Sequence, residues 1–135
     1  MERDFSKEIA LLQQYQDHIE LISQQLSILE NLIMEYERAK DTIDEIGSIE
    51  KGKEILIPVG GNTFVFGILG NKAKVITGIG GNVSIEKKIS SAITSLQSQI
   101  DTFRKEEENL LKIAQETQQK IDSLSQQIKN KGEKE

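Results

Sequence analysis

The stretch "PVGGNTFVFG", residues 58–67, is followed twenty residues later by an echo, "GIGGNVSIEK", residues 78–87. A glycine-rich loop beside a hydrophobic strand is one way to cradle a phosphate, and it is equally a way to turn a hairpin. The surroundings decide between them. "GIGGNV" carries Val83 where G-x-G-x-x-G needs its last glycine, no G-x-x-x-x-G-K-[ST] occurs, and neither GGN leads into a crossover helix. The first leads straight into another apolar run, and Gly and Asn supply the positive φ values that tight turns demand. The pattern predicts two hairpin turns, built on Gly60, Gly61, Gly80 and Gly81, with Gly70 in "GN" (70–71) serving similarly between the second and third strands.

The runs flanking these turns have the period of strands. "EILIPV" (54–59), "TFVFGIL" (63–69), "KAKVITGI" (72–79) and "NVSIE" (82–86) are β-branched or aromatic and bounded by glycine and asparagine. Phe64, Phe66 and Ile68 share one face of their strand and Val65 and Leu69 the other. A strand apolar on both faces is buried on both, which four short strands cannot achieve alone. Other chains are therefore expected to close the structure over Ile57, Val59, Phe64, Phe66, Ile68, Val75, Ile79, Val83 and Ile85. Pro58 lacks an amide donor and belongs at an edge or strand end.

Outside this centre the punctuation disappears. Eight of the 10 glycines and the only proline lie between Gly52 and Gly81. From Ile89 the residues Ile93, Leu96, Ile100, Phe103, Glu107, Leu110, Ala114, Thr117, Ile121, Leu124 and Ile128 alternate spacings of four and three, a heptad seam. In the N-terminal part Phe5, Leu12, Ile19, Leu26 and Ile33 recur every seven residues, with Ile9, Gln16, Ile22, Leu29 and Tyr36 between them. Neither stripe is wide enough for a globular interior, so the two helices are expected to pair with each other, antiparallel. The expected segments are a helix in 1–47, hairpins in 48–88, a helix in 85–130 and a disordered charged tail at 131–135, forming one structural domain. The implied register sets Gln16 opposite Thr117, Leu12 opposite Ile121, Ile9 opposite Leu124 and Phe5 opposite Ile128. A polar layer then separates the end of the coil, where the chain termini meet, from the rest of the seam. The apolar residues beyond it either hold the coil shut or, where the ends fray, offer an adaptable surface to a partner.

Composition narrows the chemistry. The chain has 135 residues, 36% of them hydrophobic and 4% aromatic, with no Cys, so disulfides and thiolate metal sites are excluded. No apolar run reaches the length of a membrane span, and a cytoplasmic protein without a membrane association is expected. The net charge of −5 divides into −8 over residues 1–50, +4 over 51–88 and −1 over 89–135. A basic centre with few aromatics is a solvated surface rather than a nucleic-acid site. His18 is the single histidine, and "EEE" at 106–108 fans around its helix rather than converging. No serine has a base placed beside it by any motif. An enzyme is not expected, nor a cofactor or metal.

Helix, two hairpins, helix is an uncommon plan, and "EILIPVGGNTFVFG" (54–67) with "VITGIGGNVSIEKKISSAI" (75–93) resembles the archaeal prefoldin α subunits. Pro58, Gly60, Phe64, Gly67, Gly78, Gly80, Glu86 and Lys87 fall at the positions of that family's motif. Gly61-Asn62 and Gly81-Asn82 depart from it, since a small residue followed by glycine is common there. The resemblance implies an α+β, mostly α fold: an antiparallel two-helix coiled coil whose hairpins assemble into an oligomeric β-barrel body. It also implies a hexamer with prefoldin β subunits (two α, four β) that captures unfolded clients without ATP and passes them to a group II chaperonin. Phe5, Ile9, Leu12, Ile121, Leu124 and Ile128 are then the client-contacting candidates at the arm ends. An architectural coiled-coil adaptor with one folded partner is the competing reading.

Overall fold

The computed structural model describes residues 5–71 and 73–133. Two long helices enclose four strands in the order α1 (Ser6–Ser48), β1 (Glu54–Gly60), β2 (Thr63–Ile68), β3 (Lys74–Gly80), β4 (Val83–Lys88) and α2 (Ile89–Glu133). Both helices are long because their sequences hold no interior proline and almost no glycine. α1 stops where Gly47 and Ser48 arrive; the Ser48 hydroxyl donates to the Glu45 carbonyl at 2.7 Å and Ile49 N–H reaches back to Ile46.

Each pair of strands forms its own two-stranded antiparallel sheet, β1 with β2 and β3 with β4. The pairings repeat: Leu56 faces Phe66 and Ile57 faces Val65 in the first hairpin, as Ile76 faces Glu86 and Thr77 faces Ile85 in the second. Both ladders slip before the turn, between Pro58 and Gly60 and between Gly78 and Gly80. The turns are near copies in backbone angle. φ is +106°, +57° and +56° at Gly60, Gly61 and Asn62, and +104°, +56° and +61° at Gly80, Gly81 and Asn82. Positive φ at both central residues is the type I′ pattern that matches strand twist, and asparagine is the side chain that tolerates it best after glycine. The link at 70–71 is different. β2 and β3 do not pair, Gly70 has no positive φ, and the Asn71 side chain instead accepts a hydrogen bond from Ala73 N–H at 3.0 Å.

Two boundaries differ from the sequence reading. β4 continues through Lys88, which pairs with Lys74, so α2 begins at Ile89 rather than at 85. At the other end Lys131 and Gly132 remain helical, the helix reaching Glu133; residues 134–135 of the expected tail lie outside the described residues. The chain divides into two compact units where one was expected. The first comprises the described parts of Met1–Ile33 and Thr102–Glu135, and the second is Met34–Asp101.

Within the first unit the helices run antiparallel and bury Ile22, Leu29, Ile33, Thr117, Ile121 and Leu124. The α2 seam follows its predicted alternation. On α1 two members shift by one residue: Glu8 and Tyr15 are half-buried, whereas Ile9 and Gln16 are exposed. Tyr15, Ile22, Leu29 and Tyr36 recur at seven, so the true seam is a regular heptad throughout. The register shifts with it. Lys120 lies over the Tyr15 ring, two positions further along α2 than the Gln118 implied by the expected pairing. Gln16 therefore makes no polar layer with Thr117, whose buried hydroxyl is satisfied within its own helix by donating to the Ile113 carbonyl at 2.8 Å.

In the second unit Ile100 and Ala92 are buried on α2, and Lys40 donates to Gln97 at 2.6 Å across the two helices. Leu69 is the anchor of the first hairpin: it is buried, donates to the Lys53 carbonyl and accepts from Gly52 N–H.

Candidate functional site

Two surfaces carry the functional argument, each within one unit. The first is the end of the coil bearing the chain termini. Phe5, Leu12 and Ile128 are half-buried there, Ile121 and Leu124 are buried, and Ile9 stands 56% exposed on the flank. The closed coil thus brings five of the six residues onto the seam and leaves one outside it. Glu8 occupies the inward position next to Ile9, and its carboxylate meets Lys131 at 3.3 Å. A partly solvated pair of this kind contributes under about 1 kcal/mol and does not lock the end.

Beside this seam lies a groove of about 550 Å³ lined by Leu11, Tyr15, Lys120, Ser123, Leu124 and Gln127, among others. The Lys120 ammonium sits 5.9 Å from the Tyr15 ring centroid, a cation–π distance. Leu11 and Tyr15 are apolar surface that the sequence reading missed. The signal was present in the seven-residue spacing from Tyr15 to Ile22 and Leu29, which outranks the local preference for an aliphatic residue at 9 or a match at 16.

The second surface is the pair of hairpins. On β1 and β2, Leu56, Phe64, Phe66 and Ile68 lie on one face and Ile57 and Val65 on the other, and all six are exposed; Phe66 and Ile68 reach 74% and 75%. Val59 is exposed at the slip in the ladder. On the second hairpin one face is mixed: Lys74 and Glu86 lie 3.8 Å apart, both well solvated, and Ile76, paired with Glu86, is 73% exposed. The other face carries Val75, Ile79, Val83 and Ile85. Ile79, Val83 and Ile85 are exposed, whereas Val75 is half-buried against a cavity of about 1010 Å³ between β3, the end of α1 and the start of α2.

The edges of the first hairpin are unequal. Leu69 N–H donates to Lys53 at 2.9 Å, which makes that pair hydrogen-bonded and, by alternation, places Pro58 opposite Phe64 in a non-hydrogen-bonded pair. The missing proline N–H therefore falls on the outer edge of β1. The outer edge of β2 runs uninterrupted through Phe64, Phe66 and Ile68.

Among the described residues no group of three or more His, Asp or Glu side chains is placed to hold a metal ion, and no helix is long and apolar enough to cross a membrane. Residues 15–134 match the family of prefoldin subunits. The chain belongs to the prefoldin family. Prefoldin subunit alpha of Archaeoglobus fulgidus is 26% identical to it over 134 residues, spanning 99% of this chain and 98% of that one. The alpha subunit of Methanococcus vannielii is 24% identical over 131 residues, 97% of this chain and 88% of its own. In fold, the chain is similar to one in the cryo-EM structure of filamentous PFD from Methanocaldococcus jannaschii. The TM-score is 0.74 at 23% identity, covering 85% of this chain and 95% of that one. As a prefoldin, the chain is a chaperone subunit.

Proposed function

We propose that this prefoldin chain is the α-type subunit of an ATP-independent cytoplasmic holdase. Its hairpins join those of β-type subunits in a closed β-barrel body, in a hexamer of two α and four β chains. The ends of the coils take hold of unfolded clients and release them to a group II chaperonin. The observation that carries the reading is the first hairpin: a two-stranded sheet with large apolar side chains exposed on both faces is unstable alone and is completed by strands from other chains. The presence of a second hairpin supports the α type, as do the matches over nearly the whole chain to the alpha subunits of Archaeoglobus fulgidus and Methanococcus vannielii.

Client capture at the coil ends rests on Phe5, Ile9, Leu12, Ile121, Leu124 and Ile128. Because Ile121 and Leu124 are buried in the closed coil, they reach a client only when the last turns fray. Weak contacts of this kind gain strength when several coils grip one chain, since the second contact is intramolecular.

The test is removal of residues 1–12 together with 121–135 from the assembled complex. Assembly, read by native mass spectrometry, is expected to persist while suppression of denatured-client aggregation disappears. Undiminished suppression removes the assignment to the coil ends. Tight binding to one native protein with no preference for unfolded chains supports the architectural adaptor instead.

A further inference from the structure

The groove beside the coil end reaches a residue that the closed coil otherwise covers. Leu124 is 8% exposed, yet it lines the groove together with Leu11 and Tyr15 of α1 and Glu116 and Lys120 of α2. Lys120 lies about one helical turn before Leu124, and its ammonium sits over the Tyr15 ring of the other helix at 5.9 Å. It thereby ties α1 to α2 beside the turns that must part before Leu124 is uncovered. Among the described residues lining the groove the only other charge is that of Glu116, four residues before Lys120 in the same helix. Glutamate ahead of lysine at this spacing is the favourable order for an ion pair within a helix. Lys120 therefore has two partners within reach of one flexible side chain, an aromatic face across the coil and a carboxylate on its own helix. A solvated cation–π contact favours its bound form by about two- to fivefold, and a solvated pair at this helical spacing by about 1.5- to twofold. The two are close enough that neither position excludes the other.

We propose that Lys120 is a two-position gate on the coil end. Over Tyr15 it holds the two helices together and keeps Leu124 covered. Turned to Glu116 it releases the ring and lets the last turns part. The inference rests on client capture at the coil ends and supplies the control of that site. Solvated side chains change rotamer in picoseconds to nanoseconds, far faster than helix ends open. The gate therefore sets the fraction of ends that stand open rather than limiting how fast any one of them opens. Anything that binds the parted end draws Lys120 towards Glu116, and anything that holds Lys120 on the ring weakens capture by the same factor. The ammonium and the carboxylate both stay in the groove in either position, so the switch moves without changing the charge of the coil end.

The test uses the full-length chain assembled with its β-type partner. Because the chain has no cysteine, Leu124→Cys gives it a single thiol at the gated position. The rate at which a small maleimide labels that thiol, read on this chain by mass spectrometry, reports how often the end stands open. Adding Tyr15→Leu, which keeps the seam apolar but removes the ring, is expected to raise labelling about two- to fivefold. Tyr15→Phe keeps the ring and should leave the rate unchanged. Glu116→Gln removes the open position and should lower labelling by about 1.5- to twofold. In the Tyr15→Leu background Glu116→Gln should have no effect, since Lys120 then has no ring to return to. Hydrogen exchange of the amides of residues 119–128, with leucine retained at 124, should follow the same order and frees the result from the introduced thiol. The gate is overturned if Glu116→Gln leaves opening unchanged or increases it, or if its effect persists without the ring. It is equally overturned if Tyr15→Leu speeds exchange around Ile22 as much as around Leu124, which is general loosening of the coil. Suppression of the aggregation of reduced, denatured lysozyme by the unsubstituted assembly tests the holdase reading separately. If suppression holds while labelling ignores the variants, the gate falls alone; if suppression is absent while labelling follows the expected order, the holdase reading falls and the gate stands.

Discussion

The duplicated turn allows a substitution experiment with its own internal control. At Gly61 and Gly81 the backbone sits at φ +57° and +56°, and a Cβ added to either meets nothing within 4 Å. Replacing either with alanine therefore introduces no contact and changes only the cost of the left-handed conformation, about 1–2 kcal/mol for an ordinary L-residue. Because the two hairpins belong to separate sheets with matching turns, Gly61→Ala and Gly81→Ala should cost the same, and the double variant should cost their sum. Gly60→Ala, at φ +106° and equally free of contacts, should cost more, since it lies beyond the left-handed well. Asn62→Gly should be close to neutral, because glycine accepts the same angle. Native-state hydrogen exchange of the strand amides in the assembled protein reads these differences hairpin by hairpin. A cost of 1–2 kcal/mol accelerates opening by a factor of about 5–30, confined to β1 and β2 for residue 61 and to β3 and β4 for residue 81. The reasoning is refuted if the two alanines differ by more than a factor of a few, or if Gly60→Ala is the cheaper change.

Other outcomes follow from burial and contact. Ile22→Ala and Ile100→Ala remove side chains that are 2% and 1% exposed and should each cost about 2–5 kcal/mol in chemical unfolding, whereas Leu21→Ala should cost under about 0.5 kcal/mol. Phe66→Lys, on a face that is solvated in the single chain, should leave helix content by circular dichroism unchanged. Native mass spectrometry should then show loss of the hetero-oligomer. Gly67→Ala places a Cβ 2.7 Å from Ile57 Cδ1, the mobile end of its side chain. Hydrogen exchange in the first hairpin should rise modestly and return towards normal when Ile57→Val is added. Glu8→Gln breaks the contact with Lys131 and should change thermal stability by less than about 1 kcal/mol, with that difference vanishing at high salt.

Much of this architecture is legible in the sequence because the two periods are cleanly separated. The α2 seam alternates without interruption from Ile89 to Ile128, and the hairpins are marked by glycine and asparagine at the turns. What escapes is the choice between adjacent residues where local hydrophobicity and long-range register disagree. Ile9 is more apolar than Glu8, and Gln16 completes a spacing of four from Leu12, yet the helix presents Glu8 and Tyr15 inward. The heptad is set by all of its buried residues together, and a partner such as Lys131 or Lys120 makes the polar or aromatic member acceptable there. The groove at Leu11 and the buried Leu69 escape for a related reason: both depend on what stands opposite, which periodicity on one helix or strand does not encode. The 70–71 link looks like the turns at 60–62 and 80–82 in composition but lacks a paired strand on each side.

The two helices are not attached to the hairpins in the same way. β4 ends at Lys88 and α2 starts at Ile89, with Ile89 N–H already bound to the Ala73 carbonyl, so no residue intervenes to act as a joint. α1 instead reaches β1 through residues 49–53, which include Gly52 at φ +89°. One helix is welded to its strand and the other is tethered. The α1 link is stapled to the first hairpin, since Gly52 N–H donates to the Leu69 carbonyl and Leu69 N–H donates to the Lys53 carbonyl. The root of the coil is thus held twice, with no spacer residue on the α2 side and by two main-chain hydrogen bonds on the α1 side.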